Sequence, residues 1–80
     1  MKKKKVPQWA VDECEKTVYK KLQLKEDSIH LVEDRTGYNL DEITVRIVFI
    51  NSVGTSFVFY DVFLHEKKKE VLQYNFEVEL

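Results

Sequence analysis

The stretch that decides the fold is residues 43–80, ITVRIVFINSVGTSFVFYDVFLHEKKKEVLQYNFEVEL. It contains three runs of alternating apolar residues, 43–50, 57–64 and 71–80, which two short polar segments separate. The runs are rich in β-branched and aromatic residues, which suit a pleated surface. A period of two residues is typical of strands, since a helix would scatter the same residues round its circumference. The stretch therefore predicts an antiparallel β-meander.

The turns predict the register of this meander. If Val53-Gly54 closes the first hairpin, Phe49 faces Val58 and Arg46 faces Asp61, which predicts a cross-strand salt bridge. If the second hairpin closes at residues 67–69, Tyr60 faces Phe76, Asp61 faces Asn75, Val62 faces Tyr74, and Leu64 faces Leu72. The predicted core face consists of Ile43, Val45, Ile47, Phe49, Val58, Tyr60, Val62, Leu64, Leu72, Tyr74, Phe76 and Val78.

The opposite face of the predicted sheet is also rich in apolar side chains. A face in contact with water is usually polar, and a large exposed apolar patch usually marks an interaction surface. The predicted partner-binding residues are Val48, Ile50, Phe57, Phe59 and Phe63. The alternative is that the sheet curls, or that the N-terminal segment with Trp9 folds back and hides them.

One amphipathic helix is predicted before the meander, from Pro7 to about Leu24. Its apolar stripe has helical spacing, and it can cover one face of a small sheet but not both. The members of this stripe are Val11, Cys14, Val18 and Leu22. Residues 28–33 predict a short strand, residues 34–41 a loop, and Gly37 and Gly54 turns. The fold class is α+β, with one N-terminal helix packed on a three- to four-stranded antiparallel sheet.

Length, charge and cysteine content narrow the class of protein. The 80 residues predict one domain at 7–80 after a disordered basic tail at 1–6, and a domain this small benefits from a partner subunit. The 13 basic and 14 acidic residues argue against a general nucleic-acid binder. The single cysteine excludes a disulfide framework. No apolar run is long enough to span a membrane. The basic start is not followed by the apolar segment of a secretory signal, and the sequence does not identify the cellular compartment.

Residues that could carry chemistry are few and scattered. His30, His65 and Cys14 do not have metal-ligand spacing, and the two glycines do not form a phosphate-binding loop. We therefore predict no metal, no cofactor and no catalytic residues. The charged run at residues 67–69 is expected to be a solvated hairpin tip.

The order of helix, short strand and meander resembles two groups of small α+β domains. Segments 9–11, 57–63 and 70–76 resemble uncharacterised bacterial PepSY-like proteins, a resemblance that implies the fold but no activity. Residues 9–13 and 52–55 resemble cystatins, inhibitors of papain-like cysteine proteases. That second resemblance implies inhibitory-loop residues only at Val53 and Gly54.

The function expected from these observations is non-catalytic. The chain is predicted to be a protein-interaction or regulatory module that binds a protein partner or itself, with a homodimer favoured, through the aromatic sheet face. An unpaired edge strand at 70–80 is expected to offer a further contact by β-augmentation. The alternative is a cystatin-like inhibitor that acts through Val53 and Gly54.

Overall fold

The structure is a computed structural model that describes residues 5–79. One helix precedes a five-stranded antiparallel sheet, which confirms the predicted α+β class. The elements are α1 (Gln8–Leu22), β1 (Ile29–Leu31), a 3₁₀ helix (Glu33–Arg35), β2 (Gly37–Tyr38), β3 (Thr44–Asn51), β4 (Phe57–His65) and β5 (Glu70–Glu79). The strand order is β1-β3-β4-β5, and the short β2 also pairs with β3.

Helix α1 covers one face of the sheet, which we call the helix face. It buries Ala10, Val11, Cys14 and Val18 against the sheet. It ends earlier than predicted because Gln23 takes a left-handed conformation (φ 51°), and the Leu24 N–H then donates to the Tyr19 carbonyl at 3.1 Å.

The start of the chain falls partly outside the described residues. The predicted disordered tail at 1–6 includes residues 1–4, which the structure does not describe. Val6 is buried in the core cluster, so packing begins before Pro7.

The first hairpin has the predicted register. Phe49 pairs with Val58 and Arg46 pairs with Asp61. Alternation along β3 and β4 then directs six side chains to the helix face, where they form the centre of the core. They are Val45, Ile47, Phe49, Val58, Tyr60 and Val62.

The second hairpin departs from the predicted register because of a β-bulge. Pairing follows the prediction as far as Asp61 and Asn75, and then shifts so that Val62 pairs with Gln73. The extra residue is Tyr74, and one extra residue reverses the face of every side chain beyond it. The predicted pairs Val62–Tyr74 and Leu64–Leu72 are therefore wrong.

The bulge exchanges two pairs of side chains between the faces. Leu72 and Tyr74 leave the predicted core face, while Val71 and Gln73 turn toward α1. The Tyr60 hydroxyl holds this arrangement by donating to Gln73 Oε1 at 2.9 Å. Ile43, also predicted to be core, is exposed because it precedes the first residue of β3.

The edge of the sheet formed by β1 and β2 is interrupted. Both strands pair with β3, and the 3₁₀ helix separates them along the chain. The Val48 N–H, which has no strand opposite it at this point, donates instead to Thr36 Oγ1 at 3.0 Å. Residues 34–41 were predicted to be a loop, and the short β2 is the strand that this prediction missed.

Candidate protein-interaction surface

The predicted partner-binding residues share one face but differ in exposure. Val48, Ile50, Phe57, Phe59 and Phe63 all lie on the face away from α1, which we call the open face. Val48 is 0% exposed and Phe59 7%, whereas Phe63 is 40% exposed. Ile50 and Phe57 are half-buried. The predicted aromatic surface is thus covered at one end and open at the other.

The 3₁₀ helix covers the buried end of the open face. The Arg35 guanidinium lies 5.0 Å from the ring centroid of Phe57 and 5.8 Å from that of Phe59. Arg46 lies 5.2 Å from the Phe59 ring, and the Phe57 and Phe59 rings are stacked 6.1 Å apart. These are cation–π distances. The alternative in which the N-terminal segment with Trp9 covers these rings is wrong, because Trp9 packs against the core on the helix face.

A charged group crosses the middle of the open face. Asp61 Oδ1 accepts from Arg46 Nε at 3.0 Å, and Asp61 Oδ2 accepts from Arg46 Nη2 at 3.2 Å and from Asn75 Nδ2 at 3.0 Å. This confirms the predicted cross-strand salt bridge. Burial of Asp61 opposes its ionisation, but the bonds from Arg46 and Asn75 outweigh that effect and lower its pKa.

Beyond this charged group, three large apolar side chains form the exposed end of the open face, which we call the apolar patch. Phe63 pairs with Leu72 across the strands, and its ring centroid lies 5.2 Å from that of Tyr74. Leu72 is 56% exposed and Tyr74 51%. Simple alternation placed both of these residues in the core, so only the bulge assigns them to the patch.

The β5 edge adjoins the apolar patch. Strand β5 is ten residues long, and β4 is its sole neighbour in the described sheet. Such an edge presents a row of backbone donors and acceptors for another strand. The opposite edge is interrupted by the 3₁₀ helix, so within residues 5–79 β5 offers the longer continuous edge.

Charged side chains lie at both ends of this edge. Lys67, Lys68 and Lys69 occupy the turn before β5, with Glu66 and Glu70 on either side of them, whereas Glu77 and Glu79 lie near the end of the strand. All seven side chains are exposed. The start of the edge is therefore mixed in charge, and its end is acidic.

Within residues 5–79, the remaining candidate groups lie apart from one another. Burial, with a smaller contribution from Glu13, raises the pKa of the Cys14 thiol to about 12, which disfavours the nucleophilic thiolate. His30 lies on the open face and His65 lies at the end of β4, at the other end of the sheet. In the part of the chain that the structure describes, His, Cys, Asp and Glu do not gather in groups of three or more.

An open cleft of about 320 Å³ lies between α1 and the start of β5. Glu13, Thr17, Tyr60 and residues 69–72 line it. Its charged side chains, Glu13, Lys69 and Glu70, are exposed to solvent. The cleft is therefore an open polar groove, unlike the concave and mostly apolar pockets that bind small molecules.

The hairpin between β3 and β4 presents the two residues of the alternative site. Val53 is 75% exposed at the tip, and Gly54 has a φ of +74°. Asn51 Oδ1 accepts from the Thr55 N–H at 2.8 Å and the Ser56 N–H at 3.0 Å, which stiffens the turn. The tip is thus a compact loop rather than a two-residue turn.

Among residues 5–79, no helix combines the length and the apolar character that a membrane crossing needs. Comparison with protein-family models, curated proteins and solved structures found no match to this chain. The function is therefore inferred from the surface itself.

Proposed function

We propose that this chain is a non-catalytic protein-interaction module whose contact surface is the apolar patch together with the adjoining β5 edge. The supporting observation is the grouping of Phe63, Leu72 and Tyr74, each at least 40% exposed, beside an unpaired strand edge. Contiguous exposed apolar side chains are a feature of protein contact sites.

The patch and the edge act together in this proposal. A specific protein interface buries about 800 Å² on each partner. Three side chains cannot supply that area alone, whereas a strand added to β5 brings main-chain hydrogen bonds and pockets for alternate side chains. Leu72 and Tyr74 are members of both features, so an added strand would contact the patch.

Site-specific photo-crosslinking tests this function. A photoreactive phenylalanine analogue at position 72 should give a discrete protein adduct in cells, and adding Phe63→Asp should abolish it. The matched control carries the analogue at position 53, which is also exposed and apolar but lies on the hairpin tip. Absence of an adduct at position 72, or equal adducts at both positions, would contradict the proposal.

The alternative proposal is inhibition of a papain-like protease through Val53 and Gly54. Its support is the exposure of Val53 on a stiff hairpin tip. If the interaction-module proposal is right, papain retains its full activity in excess of this protein. Stoichiometric inhibition that Val53→Glu removes would establish the alternative instead.

A further inference from the structure

We propose that the partner at the β5 edge is an extended segment of another protein that pairs antiparallel with β5 and places basic side chains opposite Glu77 and Glu79. This inference rests on the proposed function, because it uses the same edge and patch. It adds the chemistry of the partner and the backbone groups on which the pairing depends.

The hydrogen bonds of β3 establish which backbone groups of β5 are available. Val48 directs both of its main-chain groups away from β4, because its C=O accepts from the Val32 N–H at 2.8 Å and its N–H donates to Thr36 Oγ1 at 3.0 Å. Paired residues of antiparallel strands alternate between hydrogen-bonded and non-hydrogen-bonded pairs. Val48 and Phe59 are therefore a non-hydrogen-bonded pair, and Phe59 directs its main-chain groups to Glu77 on β5.

The same alternation along β5 leaves the N–H and C=O groups of Phe76 and Val78 on the outer edge. Glu77 and Glu79 direct their main-chain groups to β4. In agreement, the Glu79 C=O accepts from the hydroxyl of Ser56, the residue before β4, at 3.1 Å. An added strand thus finds two donors and two acceptors near the end of β5.

The β-bulge limits where a regular ladder can form. A bulge disrupts pairing locally, so the bulge at Tyr74 divides the edge into residues 70–73 and 75–79. The second run is the longer one, and five residues is an ordinary length for a strand. The acidic end of the edge is therefore also the part best suited to strand pairing.

The charged side chains within β5 all have the same sign and lie on the same face. Glu70, Glu77 and Glu79 pair with open-face residues of β4, and all three are exposed. The lysines of the preceding turn adjoin Glu70. Within residues 5–79, Glu77 and Glu79 form no ion pair, so their charges are available to a partner.

The arginine nearest to this part of the sheet is already engaged. Arg46 donates to both carboxylate oxygens of Asp61, and that bond is the largest cause of its raised pKa, to which Glu77 makes a smaller contribution. A basic side chain from outside therefore finds Glu77 without an ion-pair partner.

The pairing geometry favours basic side chains in the added strand. Residues opposite Glu77 and Glu79 would form non-hydrogen-bonded pairs, in which side chains approach more closely than in hydrogen-bonded pairs. Opposite charges in such positions stabilise a sheet, and like charges destabilise it. Nucleic acids and anionic lipids carry phosphates that these carboxylates would repel, so the occupant is a basic protein segment.

A peptide-binding experiment tests the charge complementarity. The probe is a labelled, capped peptide, Lys-Val-Lys-Val-Thr-Val-Phe, whose lysines face Glu79 and Glu77 in the antiparallel register and whose phenylalanine reaches the apolar patch. Fluorescence anisotropy measures binding. Glu77→Lys with Glu79→Lys should weaken binding at least about tenfold, and should create binding to the same peptide with glutamate in place of both lysines.

The control variant carries Glu26→Lys and Glu42→Lys. It makes the same change in net charge at two exposed positions outside β5, and it should bind the lysine peptide as wild type does. Far-UV circular dichroism establishes that each variant folds.

Methylation of the peptide backbone separates strand pairing from simple charge attraction. N-methyl groups on the first two valines block the N–H groups that face Val78 and Phe76, so affinity should fall at least about tenfold. N-methyl groups on the two lysines should be tolerated, because those N–H groups point away from β5. The two methylated peptides have identical charges and side chains.

Four results would overturn the inference. They are no binding of the lysine peptide up to about 1 mM, where even a weak complex would be detected; equal affinity of wild type and the folded Glu77/Glu79 variant; equal weakening in the control variant; and methylated valines tolerated as well as methylated lysines. In cells, a position-72 adduct whose crosslinked segment lacks alternate basic residues would overturn the inference but leave the proposed function standing. Absence of any position-72 adduct would overturn both.

Discussion

Phe59 and Phe63 lie on the same strand and the same face, yet their surroundings differ. Phe59 lies within 6 Å of two arginine guanidinium groups and is 7% exposed, whereas Phe63 lies beyond the charged group at the open end. At the scale of single residues, the neighbouring side chains determine whether an aromatic ring is buried or exposed. Phe59 therefore stabilises the fold, and Phe63 is free to contact a partner.

This difference gives a paired mutational prediction. Phe59→Asp should cost roughly 3 kcal/mol or more of unfolding free energy, because it removes a buried aromatic ring and leaves its space unfilled. Phe63→Asp should cost about 1 kcal/mol or less and should abolish association. Urea unfolding followed by circular dichroism measures the two stabilities. A Phe59→Asp variant as stable as wild type would show that Arg35 does not keep the Phe59 site closed to water.

The Asp61 cluster gives a pH prediction. Because the folded-state pKa of Asp61 is lowered, its stabilising contribution is full above the unfolded pKa of about 3.9. That contribution is lost as the pH falls from there through the folded pKa, since the unfolded state takes up the proton first.

Asp61→Asn should therefore lower the unfolding free energy at pH 7 by about 1–2 kcal/mol, a value reduced because Arg46 is partly exposed to water. The variant should also lose part of the acid-induced decrease in stability. The control, Glu26→Gln, changes an exposed carboxylate and should follow the wild-type pH curve. Parallel curves for Asp61→Asn and wild type would contradict the predicted role of the carboxylate.

At the scale of elements, the turns and the bulge position the proposed interaction surface. The bulge at Tyr74 moves two apolar residues from the core to the open face, and the αL residue Lys69 (φ 51°) closes the turn before β5. The interrupted strand on the other edge leaves β5 as the available edge. Irregular features of the strands, more than the strands themselves, therefore define the site.

The two glycines give a matched prediction at this scale. Gly54 has a φ of +74°, so Gly54→Ala should cost about 1 kcal/mol from left-handed strain. Gly37 lies in β2, where an added methyl group would meet no atom within 4 Å and the backbone is not left-handed, so Gly37→Ala should be nearly neutral. Thermal unfolding compares the two variants. Equal losses would mean that the hairpin does not depend on the Gly54 conformation.

At the scale of the whole molecule, one helix covers one face of the sheet. The other face is covered only at one end, by a single turn of 3₁₀ helix with Arg35. A domain of this size buries a modest fraction of its surface. Burying the patch and the edge in an interface would therefore add to the stability of the fold.

The homodimer that the sequence predicts would make thermal stability depend on protein concentration. Because association stabilises the folded state by mass action, the midpoint of unfolding should rise with protein concentration. Leu72→Glu should remove this dependence without unfolding the chain, since the side chain is already exposed. Differential scanning calorimetry over a wide range of protein concentration measures the midpoint. A constant wild-type midpoint would argue against the dimer.

The sequence by itself determined the three long strands of the meander, the first hairpin register and the Arg46–Asp61 pair. Those features follow from the alternation of apolar and polar residues along each strand, and from a hairpin whose two strands pair without a bulge. It also indicated an apolar second face, since one helix is too narrow to cover two faces.

The tertiary structure alone decided which part of that face is open. Leu72 and Tyr74 are apolar, so alternation in residues 71–80 looks regular, and the one-residue bulge becomes evident only when β5 pairs with β4. Arg35 covers the other end of the face because it lies in the 3₁₀ helix, and that segment of the sequence lacks any periodic signal. Both features arise from contacts between residues distant in the chain, which a local pattern does not encode.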